Sequence, residues 1–330
     1  MTQSPIRWGI VGTANIARAQ FLPGLREAGG GTAALVASRD RAKAGVFAAA
    51  NGIGAGIADY AALVESPHVD AVYVALPNAL HAEWTIRALD AGKAVLCEKP
   101  LCTSADQTRA VLDVAATAAG PLWEAFVFPF QAQHRRLRAL LDDGAIGAPA
   151  EVNSVFHFLL SNPANIRLDA ALGGGALADV GCYPVRLALE LFGADGARAE
   201  ACSADTNGEV DVDAAGIVTF GPRRLLLSCG FRRSYDTSTS VRGSAGQVQL
   251  TNPFHPGPAD TLTLLRPQAD PVVERPTTDE RSFTAAIRHI HAVLRGEAAP
   301  EHTAGELSLP AARVLQHLQR LAQPPVTRRR

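Results

Sequence analysis

The chain lacks the marks of several protein classes. Its 330 residues include five cysteines, Cys97, Cys102, Cys182, Cys202 and Cys229. The number is odd and no CxxC pair occurs, so neither a disulfide framework nor a zinc site is expected, and a reducing, cytoplasmic compartment fits. No apolar run approaches the roughly 18 residues that a membrane span needs. No basic segment with an apolar core precedes the strand-like Ile6 to Val11, so no signal peptide is expected. Net charge is −1, and no long basic run occurs before Arg328, Arg329 and Arg330, read as a solvated tail. A nucleic-acid partner therefore lacks its electrostatic footprint.

What is present is alternation. The first third switches between short apolar runs and longer helix-compatible stretches, the pattern of a parallel sheet built from βαβ units. Strands are expected at Arg7 to Val11, Ala33 to Ala37, Ala71 to Ala75, Ala94 to Glu98 and Leu122 to Phe126. Helices are expected near Ile16 to Glu27, Arg41 to Ala50, His81 to Ala91 and Ser104 to Ala118, with Ser104 as a cap and Pro23 as a kink. From about Trp123 the texture turns to longer β-rich segments, then to two helices near Asp279 to Arg295 and Gly305 to Leu321. Two domains follow, 1–122 and 123–330, since a single core rarely grows beyond about 250–300 residues.

Gly9-Ile10-Val11-Gly12-Thr13-Ala14-Asn15-Ile16-Ala17 leaves the first strand and opens the first helix, where a dinucleotide fingerprint belongs. Gly12 suits the tight turn, and the free amides of a helix start suit a pyrophosphate. Ala14 stands where the middle glycine is usual, so the backbone must stand off slightly. After the second strand comes Ser38-Arg39-Asp40 rather than a leading acid. Serine and arginine suit a 2′-phosphate; a solvated Arg39, or Asp40 serving the ribose one position late, is the alternative. Leu76-Pro77-Asn78 with His81, and Cys97-Glu98-Lys99-Pro100, end the third and fourth strands at the same sheet edge. Lys99 stands where a partly buried ammonium, its pKa drawn down by burial, could meet a reacting oxygen. Farther on, Asn165-Ile166-Arg167 precedes Gly173-Gly174-Gly175-Ala176-Leu177-Ala178-Asp179, followed by Tyr183-Pro184 on a helix that takes proline most easily in its first turn.

These motifs, in this order and spacing from about Ile6 to Leu321, resemble the glucose-fructose oxidoreductase and inositol dehydrogenase (Gfo/Idh/MocA) family. The resemblance implies an N-terminal Rossmann domain, α/β and doubly wound, and a C-terminal α+β domain on a large, mainly antiparallel open sheet that carries the substrate pocket and the oligomer interface. Lys99 matches the lysine of the family's Glu-Lys-Pro motif and Asp179 its second-domain acid. Tyr183 falls where many members have histidine. Subgroups with tyrosine there resemble NADP-linked pentose dehydrogenases, dihydrodiol dehydrogenases and nucleotide-deoxysugar 3-ketoreductases, and Arg167 looks like part of their cofactor-side segment. Glu124-Ala125-Phe126 and Gln133 fit a family segment, whereas Pro129 and Phe130 replace its frequent basic and histidine residues.

The expectation is an oxidoreductase that moves hydride to or from a carbinol or carbonyl carbon of a sugar or nucleotide-linked keto sugar. NADP(H) is expected ahead of NAD(H), held by Gly12 to Ile16, Ser38, Arg39, Leu76, Pro77, Asn78, His81, Glu98, Lys99 and Arg167. Lys99, Tyr183 and Asp179 are the expected catalytic residues, and no metal is called for. A trans-dihydrodiol or other non-sugar alcohol dehydrogenase, and a catalytically silent cofactor-binding regulator, are the alternatives. Leu225-Leu226-Leu227 sets apolar residues on both alternations of a strand, so a homo-oligomer through the second-domain sheet is expected, with cover by the chain's own helices as the alternative. Glu209, Asp211 and Asp213 read as the solvent face of an edge strand. His289 and His291, two apart on a helix, point apart and cannot chelate together.

Overall fold

A computed structural model of the chain describes residues 4–276 and 280–322; Asp279, the expected start of a helix, and Arg328 to Arg330 lie outside them. The chain forms two compact units. One runs through Gln131 and takes back a segment ending at Glu306; the other begins at Ala132 and resumes at Leu307. The division expected after residue 122 is thus displaced. Residues 122–124 form a strand of the first sheet, and the segment around Phe283, expected in the second domain, packs in the first unit.

The first unit holds β1 (Ile6–Val11), α1 (Leu22–Ala28), β2 (Gly31–Ala37), α2 (Arg41–Asn51), β3 (Ala55–Ile57), α3 (Tyr60–Val64), β4 (Ala71–Val74), α4 (His81–Asp90), β5 (Ala94–Cys97), α5 (Ala105–Ala115) and β6 (Leu122–Glu124). Its strands are parallel in the order β3-β2-β1-β4-β5-β6. Both faces are covered, so β4 and β5 are buried throughout and read as continuous apolar runs. Alternate side chains enter different cores: Ile10, Tyr73 and Leu96 on one side, Val11, Val72 and Val95 on the other. On the first side Phe21 stacks on Tyr73 with centroids 4.1 Å apart, and Trp8 and Phe283 meet Phe21 edge-on. Such pairs each add about 0.5–1.5 kcal/mol beyond area burial. The strand order reverses at β1 and β4, which opens a crevice at their carboxyl ends.

The second unit contains α6 (Ala132–Asp142), β7 (Pro149–Leu159), α7 (Cys182–Phe192), β8 (Ala197–Thr206), β9 (Asp211–Phe220), β10 (Arg223–Gly230), β11 (Arg232–Gly243), β12 (Gln247–Thr251), β13 (Leu262–Leu265) and β14 (Val272–Glu274). The sheet order is β14-β13-β12-β11-β7-β10-β9-β8, antiparallel except for β7 beside β10. α8 (Ser282–Leu294) belongs to the first unit and α9 (Ser308–Ala322) to the second. Leu225 and Leu227 are buried on the face where α7 packs, whereas Leu226 points to the other face beside Ile217, which is 39% exposed. β9 is an inner strand, so the edge-strand reading of its acids is corrected: Asp213 is buried beside Arg233, and Asp211 caps the turn that leads into α7. No helix among the described residues is long and apolar enough to cross a membrane.

Both units carry a π turn shortly before a proline: Ala17–Phe21 before Pro23, and Leu177–Gly181 before Pro184. Proline donates no hydrogen bond and its ring pushes off the carbonyl four residues back, so a locally widened helix is a low-strain answer. Pro184 therefore follows a helical turn that has already formed rather than opening the helix.

Candidate active site

In the first unit the turn after β1 is shaped by Gly12. Its φ is +105°, and a Cβ there would lie 2.4 Å from the Ala75 carbonyl oxygen, so only glycine lets β1 and β4 close up at the crevice. Thr13 and Ala14 lead to a helical segment at Asn15 and Ile16, whose first amides have no intrahelical acceptor and form an anion-binding end. Asn15 Oδ1 accepts from Arg18. At the end of β2 Ser38 is buried, while Arg39 is exposed. Asp40 Oδ1 accepts from the amides of Ala42 and Lys43 at 2.8 and 3.2 Å, which commits that oxygen to capping α2. These groups fit a nicotinamide dinucleotide, and Arg39 stands exposed beside them.

The Lys99 segment is pinned on three sides. The buried Tyr73 hydroxyl donates to Glu98 Oε1. The imidazole of His81 lies 2.8 Å from the Pro100 carbonyl through Nδ1 and 2.9 Å from the Leu76 carbonyl through Nε2. The Leu101 amide donates to Glu124 Oε1 at 2.7 Å. Lys99 itself is half-buried, and its bond to Pro100 is cis. His81 is fully buried and both its nitrogens face backbone, so it serves the crevice by tying the Leu76-Pro77-Asn78 turn to the Glu98-Lys99-Pro100 turn, not by reaching a ligand. Burial pushes its pKa below the usual histidine range, against the pull of the two carbonyls. A neutral ring donates to only one of them.

In the second unit Arg167 Nε donates to Asp179 Oδ2 at 2.6 Å, so these two expected residues form one pair. The glycines explain the approach. A Cβ at Gly174 would sit 2.5 Å from the Arg167 carbonyl oxygen, and one at Gly175, where φ is +118°, would sit 2.6 Å from Asp211 Oδ1. Asp211 Oδ2 accepts from the Leu177 amide at 2.6 Å and thereby caps the turn that carries Asp179; burial raises its pKa. Tyr183 is buried among Phe156 and Phe254, and its hydroxyl lies 3.4 Å from His255 Nε2. Sequence reasoning missed Tyr73, Asp211 and His255. Tyr73 reads as core, and His255 sits in a Pro-rich loop with no periodicity to single it out.

Residues 6–126 match the oxidoreductase family with an NAD-binding Rossmann fold, and residues 134–249 match the GFO/IDH/MocA C-terminal domain. The dTDP-3,4-didehydro-2,6-dideoxy-alpha-D-glucose 3-reductase of Actinomadura kijaniata is 37% identical over 309 residues, 89% of each chain. The chain belongs to the Gfo/Idh/MocA oxidoreductase family. As a member it is an NAD(P)-dependent oxidoreductase on a Rossmann domain followed by an α+β domain, as the motifs led us to expect. D-xylose 1-dehydrogenase (NADP(+)) 2 of Haloferax volcanii is another relative, 41% identical over 263 residues, 78% of this chain and 79% of that one. Among solved structures, the 3-ketoreductase from Actinomadura kijaniata in complex with NADP and TDP-benzene superposes with a TM-score of 0.86 at 34% identity, covering 95% and 96% of the two chains.

Proposed function

We propose that the protein is an NADP(H)-dependent oxidoreductase that interconverts a carbonyl and a carbinol on a sugar or nucleotide-linked keto sugar. The observation that carries this reading is the triply pinned Lys99 segment at the carboxyl edge of a Rossmann sheet. Bonds to Glu98, Pro100 and Leu101 fix the backbone from which the Lys99 side chain starts, and a fixed starting point favours efficient proton transfer. Bound nicotinamide supplies or takes the hydride. Lys99 Nζ supplies a proton or a hydrogen bond to the substrate oxygen, and Tyr183 Oη is the assisting proton-transfer group. Asp179, held by Arg167, orients a substrate hydroxyl; the expected approach of Arg167 to the cofactor belongs to the same proposal. Ser38 and Arg39 favour the 2′-phosphate, while Gly12 to Ile16, Leu76, Pro77, Asn78 and Glu98 shape the cofactor crevice.

Names of the relatives support the substrate class, since they include both a deoxysugar 3-reductase and a pentose dehydrogenase. The test is a panel of sugars, nucleotide-linked keto sugars and trans-dihydrodiols, followed by nicotinamide absorbance with each cofactor. Turnover of a sugar or keto sugar with NADP(H) is expected. Turnover of diols alone would transfer the reading to a non-sugar alcohol dehydrogenase, and tight cofactor binding with no turnover would leave a silent regulator. We also propose that a second copy covers the sheet face that carries Leu226 and Ile217.

A further inference from the structure

We propose that His255 is the proton partner of Tyr183, passing protons between solvent and the buried phenol. This inference rests on the reading of Tyr183 as a proton-transfer group. A phenol with a reference pKa of about 10 gives up its proton at neutral pH only to a well-placed partner, and a phenolate must be refilled before the next turnover. Imidazole, which titrates at about 6.5, is the side chain suited to that task.

The geometry points to His255. Its Nε2 lies 3.4 Å from Tyr183 Oη. The phenol is 7% exposed, whereas His255 is half-buried, so the imidazole has the better access to water. Phe156 lies against both rings, with centroids 5.2 Å from Tyr183 and 6.0 Å from His255, and Phe254 stacks on Phe156. Apolar walls of this kind strengthen a hydrogen bond between the two polar groups they enclose.

The loop that carries His255 is built to hold still. Gln133 Nε2 donates to the carbonyls of Thr251 and Thr261, closing the loop at its base. Asn252, in the left-handed region at φ 45°, is a four-way hub. Its Oδ1 accepts from Tyr235 and Thr237, and its Nδ2 donates to the His255 carbonyl and to Asp260. Asp260 Oδ2 also accepts from the Gly257 amide. The titratable groups bonded into this loop are committed to it: Asp260 and Tyr235 both hydrogen-bond Asn252.

In reduction, bound nicotinamide would supply the hydride, and in the share of the proton work that falls to the phenol the substrate oxygen takes the proton of Tyr183 Oη. The phenolate then takes the proton of His255 Nε2, and the imidazole recovers one from water. Oxidation runs the same transfers backwards. His255 touches Tyr183 and not the substrate oxygen in this scheme, so it is a positioning and relay residue.

The experiment pairs kinetics with a titration that needs no turnover. His255→Gln should lower kcat about 10- to 100-fold and remove the limb of the kcat pH profile that lies in the histidine range, with KM and NADPH affinity changed less than about threefold. Added imidazole should restore part of the activity of His255→Ala. In the cofactor-free protein, the NMR titration midpoint of His255 should move by about half a unit or more in Tyr183→Phe, because the two groups share a hydrogen bond. A His255→Gln profile that superimposes on the parent, or a His255 midpoint indifferent to Tyr183→Phe, would overturn the proposal. Should the unmodified enzyme turn over nothing in the substrate panel, the functional reading fails, while the titration still decides whether the pair is coupled.

Discussion

At the scale of single residues, proton work in the proposed reaction falls to Lys99 and Tyr183, and cofactor choice falls to Arg39. Lys99→Met should lower kcat by about 10² to 10⁴, the usual worth of a positioned acid or base, with NADPH affinity little changed. Tyr183→Phe should cost less, since the phenol assists. A larger loss in Tyr183→Phe would reverse the two roles, and near-normal turnover of Lys99→Met would remove the lysine from the chemistry. Arg39 is exposed just past β2, and the neighbouring acid is occupied at the start of α2. Its bond to a 2′-phosphate would be charge-assisted, worth about 1.5–3 kcal/mol, so Arg39→Ala should weaken NADPH roughly tenfold or more and leave NADH nearly unaffected. Equal affinities for the two cofactors in the parent protein would dismiss this assignment.

Elements set where those residues can stand. Gly12→Ala would drive a Cβ against the Ala75 carbonyl, which is backbone and cannot swing aside. Lower melting temperature and at least about tenfold weaker cofactor binding are expected. Gly45, exposed within α2 with open space around it, is the opposite case: Gly45→Ala should stabilise by about 0.5–1 kcal/mol. His291 of α8 provides a pH test. Its Nε2 accepts from Trp8 Nε1 at 2.9 Å and its Nδ1 donates to the Gly29 carbonyl, so the folded state needs the neutral ring, and burial pushes its pKa from 6.5 down to about 4. The unfolded chain binds a proton first as pH falls, so this contribution is complete above pH 6.5 and is lost progressively between 6.5 and 4. About 3 kcal/mol is at stake. Denaturation followed by tryptophan fluorescence should show that loss, and His291→Gln should flatten it. Long strands and capped helices were legible, Ser104 among them, because period and cap residues are local signals. The short β3 and α3 were not, since three and five residues are too few to display a period.

The whole molecule shows a different limit of sequence reasoning. That α8 returns to the first unit depends on Phe283 reaching Phe21 and Tyr73, and on Thr284 reaching Glu27, contacts between residues far apart in the chain that no local pattern announces. The same limit applies to assembly. Leu225-Leu226-Leu227 signalled two covered faces, and the structure assigns Leu225 and Leu227 to the chain's own helices. Leu226 pairs with Ile217 on the opposite face, with Val155 one row along on β7. At the end of that face Glu151 holds Arg224 and Arg242 across three strands, at 2.9 and 2.5 Å. Asn153 and Ser228 lie among these apolar residues, so the face is mixed, an apolar patch interleaved with polar side chains and bounded by charge, as many association surfaces are, and a twofold axis would set each patch on its counterpart. Light scattering should therefore report an oligomer at micromolar concentration, and Ile217→Arg should shift it toward monomer by placing an unpaired charge at the centre of the contact. A monomeric parent protein would leave this face to solvent and withdraw the proposed partner copy; an oligomer unmoved by Ile217→Arg would place the contact elsewhere.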